Sequence, residues 1–252
     1  MKKSPIVAGN WKMHKLPSEG TSFVDEVINM VLDIKSVSVI FAPPFTGLFE
    51  MNVEPPFYTA AQNCHWEETG AFTGEISIPM IKDCGASHVI VGHSERRHVF
   101  GETNEWINKK IKALLSNGLK PILCIGETLE QRESGSTELV LKEQLEKGFS
   151  LINDIDKCII AYEPVWAIGT GVTANLEQVE MAHVVIREII GENYDGGNDV
   201  HILYGGSVNS GNAKDLIQVE GVDGFLIGGA SLDASSFASI IRTVEEVQEN
   251  IK

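Results

Sequence analysis

Several ionisable side chains in this chain stand directly behind short apolar runs. Asn10 and Lys12 follow "PIVAG", His93, Ser94 and Glu95 follow "HVIVG", Glu127 follows "PILCIG", and Glu163 follows "CIIAY". Each has an ordinary use and a chemical one. His93 reads as a hydrogen-bonded core residue. It reads equally as an imidazole kept neutral by the N–H groups of a helix starting at Ser94, able to donate to a carbonyl oxygen. Lys12 is a solvated charge, or a cation that offsets a ligand's charge and steadies a developing oxyanion. Glu163 is one half of a structural ion pair, or a carboxylate that partial desolvation makes a stronger base toward carbon.

Two glycine-rich turns, "GGS" at Gly205–Ser207 and "GG" at Gly228–Gly229, follow two further apolar runs. Glycine supplies positive φ in tight turns. It also lets backbone N–H groups approach an anion closely. A pair of such turns at consecutive strand ends favours the anion, and a phosphate in particular.

Something must bring these groups together. Short, β-branched apolar runs recur at Pro5–Gly9, Val37–Ala42, Phe57–Ala61, His88–Gly92, Pro121–Gly126, Cys158–Tyr162, Val200–Tyr204 and Gly224–Gly228. Their lack of in/out alternation suits parallel strands buried on both faces. Amphipathic segments lie between them. Val24, Val27, Ile28 and Val31 share one helical face. Asn175 is expected to cap a helix with Leu176, Val179, His183, Ile186 and Ile190 on one side and Gly191 as its stop. Ser235 is expected to cap a last helix carrying Phe237, Ile240, Ile241, Val244 and Val247. Eight βα units form a closed barrel or an open doubly wound sheet. The absence of G-x-G-x-x-G after the first strand, and equal repetition to the end, favour the α/β class as one (β/α)8 barrel over residues 1–252. In that architecture all the groups above share the face at the strands' C-terminal ends.

Composition narrows the partners. The net charge of −15, from 20 basic and 35 acidic residues, argues against nucleic acid or an anionic membrane. No apolar run approaches membrane-span length, and four scattered cysteines without a C-x-x-C pair read as reduced thiols, so a cytoplasmic protein is expected. No H-E-x-x-H, His/Cys cluster at metal-ligand spacing, P-loop or G-x-S-x-G elbow is present, which argues against a metal site and a serine hydrolase.

Eight motifs, in order, carry a family resemblance: "GNWKM" (9–13), "AQN" (61–63), "GAFTGEIS" (70–77), "VGHSERR" (91–97), "CIGET" (124–128), "YEPVWAIGTG" (162–171), "YGGSVN" (204–209) and "IGGASL" (227–232). Over essentially its whole length the chain resembles the triosephosphate isomerases. The resemblance implies interconversion of dihydroxyacetone phosphate and D-glyceraldehyde 3-phosphate through an enediolate, without a cofactor. It assigns Glu163 as the base and His93 as the group that polarises and shuttles protons among the oxygens. Lys12 and Asn10 stabilise the charged intermediate, and Glu95 holds Lys12. It gives the phosphate to Gly169, Ser207, Gly228 and Gly229, and makes Pro164, Val165, Trp166, Ala167, Ile168, Gly169 and Thr170 a lid that excludes water.

The resemblance also implies a homodimer in which Thr73 of "GAFTG" supports the neighbour's Asn10 and Lys12. Two positions depart from the family's usual pattern. His14 stands where asparagine is common, at the expected dimer contact, and Val172 stands where lysine is frequent after the lid. Two other functions are set against the isomerase. One is a barrel that binds a phosphorylated ligand without turning it over. The other is a different sugar-phosphate barrel enzyme, such as a Schiff-base aldolase, which needs its lysine inside a strand.

Overall fold

A computed structural model describes residues 3–153, 155–168 and 173–250. Eight parallel strands close into a barrel in chain order: β1 (Ile6–Asn10), β2 (Ser38–Ala42), β3 (Phe57–Ala61), β4 (His88–Val91), β5 (Lys120–Ile125), β6 (Ile159–Tyr162), β7 (His201–Tyr204) and β8 (Gly224–Ile227). Closure is the pairing of β1 with both β2 and β8, Ile6 lying opposite Ser38 on one side and Gly224 on the other.

The continuous apolar runs have a direct cause. Alternate residues face two different cores. Ala8, Ile40, Ile90, Ile122, Ala161, Leu203 and Leu226 fill the barrel interior. Their neighbours Val7, Phe41, Val89, Leu123, Ile160 and Phe225 point outward into the layer beneath the helices. Beyond the strand starts, neither face of most strands meets water, so both faces are mostly apolar.

Asn175 caps its helix as expected. Its Oδ1 accepts the Gln178 N–H at 2.9 Å, and the Gln178 side chain returns to the Asn175 N–H at 3.0 Å. Two expectations for that helix fail. It runs from Leu176 to Asn193, through Gly191, and Leu176 is 46% exposed, so the buried stripe starts at Val179. Gly191 serves packing instead: a Cβ there would lie 2.9 Å from the Asn198 Oδ1.

The last helix, Ala234–Glu249, is capped by Asp233 rather than Ser235. The Asp233 carboxylate accepts the Ser236 N–H at 2.8 Å, which leaves Ser235 inside the first turn. Its stripe of Phe237, Ile240, Ile241, Val244 and Val247 is buried throughout. Among the described residues, no helix is long and apolar enough to cross a membrane. None of the four cysteines is in a disulfide, and three of them are buried.

Candidate active site

At the C-terminal end of the strands a cavity of about 390 Å³ is lined by Asn10, Lys12, His14, His93, Glu163, Ile168, Ser207, Gly228 and Gly229. Strand register brings to one place residues up to 219 positions apart in the chain.

Asn10 is the last residue of β1, and its Oδ1 accepts the Lys12 N–H at 3.1 Å. Lys12 itself sits in the left-handed region with φ 52°, which is costly for a side-chain-bearing residue and recurs at working sites. What holds it there is Gln62, whose amide donates to the Lys12 carbonyl at 2.9 Å and to the Ala42 carbonyl at 2.8 Å. The ammonium is paired with Glu95 Oε1 at 2.7 Å.

His93 is the N-cap of a short helix, Ser94–His98. The Glu95 N–H donates to Nδ1 at 3.2 Å, so the ring proton belongs on Nε2, which lies 3.0 Å from Glu163 Oε1. Gly92 makes the approach possible. Its φ is 70°, and a Cβ would meet Arg97 Nη2 and Ile107 Cδ1 at 2.9 Å. Arg97 in turn binds the Gly92 and Cys124 carbonyls at 2.7 and 3.1 Å, locking the end of β4 to β5.

Glu163 is 3% exposed, immediately beyond β6. Its N–H binds the Ile125 carbonyl at 2.7 Å, and its Oε2 accepts the Ser94 N–H at 3.1 Å. Two glycines clear its space: a Cβ on Gly126 would fall 1.8 Å from the Glu163 carbonyl oxygen, and one on Gly205 would fall 2.9 Å from its Cγ.

The electrostatics differ from the simple expectation that burial strengthens the base. Burial is the largest influence and does push the Glu163 carboxyl up. His93, the Ser94 N–H and Lys12 together outweigh it and hold the group below the ordinary carboxylate value. For His93, burial pushes down while contact with Glu163 pulls up, and the net direction is up. The two groups therefore stabilise one another across a single shared Nε2–H, with Nδ1 kept as an acceptor by the Glu95 N–H.

Beside the cavity, Val165–Ala167 forms a 3-10 turn, and Ile168 reaches the cavity wall. The turn is anchored on Glu127, which is fully buried. Its carboxylate accepts from Trp166 Nε1 at 2.9 Å, Arg132 at 3.0 Å and the Tyr162 hydroxyl at 3.1 Å. The Arg132 guanidinium also stacks 4.7 Å from the Trp166 ring centre. From the turn after β7, the Ser207 hydroxyl donates to the Ala167 carbonyl at 2.9 Å. Gly169, Thr170 and Val172 lie outside the described residues.

Asn10, Lys12, His93, Glu163, Ser207, Gly228 and Gly229 thus meet at one cavity, and Glu95 joins them through Lys12. Thr73 does not reach it. It lies on the exposed run from Glu67 to Glu75, and His14 is exposed at the cavity mouth. The supporting roles of Gln62, Arg97 and Glu127 are not foreseen from spacing. The one signal for Glu127 is its place after a buried strand.

Comparison with known proteins follows the same outline. The family model described as triosephosphate isomerase matches residues 5–244. The chain is 48% identical over 246 residues to a relative named triosephosphate isomerase from Geobacter metallireducens, covering 95% of this chain and 98% of that one. A relative of the same name from Citrifermentans bemidjiense is 48% identical over 250 residues, covering 96% and 100%. One from Aquifex aeolicus is 46% identical over 241 residues, covering 94% and 98%.

Proposed function

The chain belongs to the triosephosphate isomerase family, and on that premise we propose how its residues interconvert dihydroxyacetone phosphate and D-glyceraldehyde 3-phosphate. Glu163 takes a proton from the carbon of dihydroxyacetone phosphate that bears the hydroxyl, leaving an enediolate. It returns the proton to the neighbouring carbon, giving the aldehyde. His93 donates its Nε2–H to the substrate's oxygens and moves protons between them, while Lys12 and Asn10 stabilise the negative charge that develops there.

The observation that carries this reading is the 3.0 Å contact of His93 with Glu163 in the cavity that Lys12 and the glycine turns also line. To reach carbon, the Glu163 carboxylate must leave His93 and Ser94. Those contacts lower its pKa most, so burial then dominates and the group becomes a stronger base as it meets the substrate. His93 simultaneously loses the contact that raised it, leaving a neutral donor. One movement prepares both groups.

Ser207, Gly228 and Gly229, with Gly169, bind the phosphate. Nothing lies within 4 Å of where a Gly229 Cβ would stand, which leaves that volume to a ligand. Pro164 to Thr170 forms the lid, and it excludes water from an enediolate that otherwise loses phosphate.

Two copies associate so that the exposed Thr73 segment of one enters beside Asn10 and Lys12 of the other. A groove of about 260 Å³ lined by Met13, Phe45, Glu95 and Phe100 adjoins these residues, and Met13 and Phe100 are 93% and 65% exposed. Four cysteines outside any disulfide agree with a cytoplasmic protein.

Conversion in D2O tests the proton transfer. Deuterium from solvent should appear at carbon 2 of the glyceraldehyde 3-phosphate formed from dihydroxyacetone phosphate. Turnover with no carbon-bound deuterium, at every buffer concentration, would exclude an exchanging carboxylate base and favour a direct hydride shift.

A further inference from the structure

The opposite end of the barrel holds a second cavity, of about 200 Å³. Its wall includes the first residues of four strands: Ser38 of β2, His88 of β4, Lys120 of β5 and His201 of β7. Branched apolar layers usually fill a barrel of this kind, and the next layer inward is one of alanine, isoleucine and leucine. Of the polar side chains at this end, His88 is buried, Ser38, Tyr58 and His201 are half-buried, and Lys120 is exposed at the rim.

Several lack partners. Among the described residues, the Lys120 ammonium has no ion pair or hydrogen bond, and the Tyr58 and Ser38 hydroxyls have none either. His88, 4% exposed, engages Ser87 through Nδ1 at 2.8 Å, so Nε2 is the nitrogen left for a ligand. Beside these donors, Ile6, Ile40 and Ile159 make an aliphatic wall.

We propose that this cavity binds a small monocarboxylate, its oxygens between Lys120 and His88 and its alkyl part against Ile6, Ile40 and Ile159. An unpaired ammonium and an imidazole N–H are complementary to a carboxylate. Asp156 and Asp199 on the same wall balance Lys120 and Lys157, which leaves no excess positive charge for a phosphate dianion and favours a monoanion. At about 30 Å³ for each water-sized group, the volume admits a ligand of roughly six non-hydrogen atoms. A phosphate dianion is the ligand of the catalytic end, so the two ends differ in charge preference. Burial, with a smaller contribution from Lys120, holds the His88 imidazole down to about 3, with Tyr58 and Ser87 its other neighbours. A carboxylate seated there raises it.

The test is a titration of the full-length protein with sodium n-butyrate against sodium chloride of equal ionic strength. It is followed in long-range 1H–15N spectra of the histidine rings. His88 should shift saturably at pH 7 and its titration midpoint should rise by about one unit or more, with His93 unmoved. Lys120→Met, at an exposed strand start, should weaken binding at least tenfold and leave isomerase activity and the butyrate-free thermal midpoint as they are. Butyrate should raise the thermal midpoint of the parent protein and not of the variant. If that variant does not fold, Tyr58→Phe serves in its place, with weaker binding expected. Equal affinity in the variant, a shift confined to His93, or equal displacement by inorganic phosphate would each overturn the proposal.

Discussion

Removing the Glu127 carboxylate should loosen the base of the lid. In Glu127→Ala, the Tyr162 hydroxyl and Trp166 Nε1 lose the acceptor at 3.1 and 2.9 Å that joins them, and Arg132 loses its ion pair. An unpaired buried donor costs about 1–3 kcal/mol. Tyr162 is essentially buried and bears the full penalty, whereas the Arg132 side chain is 24% exposed and can be hydrated. The sum is about 3–5 kcal/mol for the alanine variant. Glu127→Gln keeps one acceptor oxygen and loses only the charge, so it should cost about 1–2 kcal/mol. Urea melts at one fixed protein concentration measure both, since an associating protein's stability depends on concentration. A double-mutant cycle with Trp166→Phe isolates the hinge contact and should give a coupling of about 1 kcal/mol or more. If the same contact sets the lid, kcat should fall in Glu127→Ala by more than KM changes. An alanine variant within 1 kcal/mol of the parent, additive with Trp166→Phe and fully active, would refute the reasoning.

Three other outcomes follow from the geometry. Gly205→Ala places a Cβ 2.9 Å from the Glu163 Cγ and should lower kcat by about 10²-fold through misplacement of the base, with circular dichroism unchanged. Gly229→Ala meets no protein atom within 4 Å, so it should leave the thermal midpoint alone and raise KM, because the methyl group enters the phosphate's volume. Stability should fall as the pH drops from about 6.5 toward 5. Burial depresses His183 to about 4 and His88 to about 3 from the ordinary 6.5, so as the pH nears 5 these two histidines together bind up to two more protons in the unfolded chain than in the folded one. The slope should approach about 2 kcal/mol per pH unit in urea melts, and His183→Asn should remove roughly half of it.

The barrel was legible because its strands must be apolar on both faces, and each predicted run ends within one residue of an observed strand end. The site was legible in outline because strand ends are the positions where a polar residue has no packing reason to be. What spacing could not give is distance between strands. His93 and Glu163 are 70 residues apart, and their contact does most to hold the Glu163 carboxyl below its ordinary value. The room that Gly126 and Gly205 make for Glu163 is equally silent in sequence, since that residue follows the strand between theirs. Local competition explains the misplaced cap: Asp233 and Ser235 are both good N-cap types, and only the backbone entering the helix chooses between them.

The central claim is that Glu163 moves the proton, and Glu163→Gln tests it most directly. The amide keeps the size of the side chain and can still meet the Ser94 N–H. It cannot accept a proton from carbon. Assayed with glyceraldehyde 3-phosphate, coupled to reduction of the dihydroxyacetone phosphate formed, the variant should fold normally and lose about 10³-fold or more in kcat. A folded variant retaining kcat within tenfold of the parent would contradict the account.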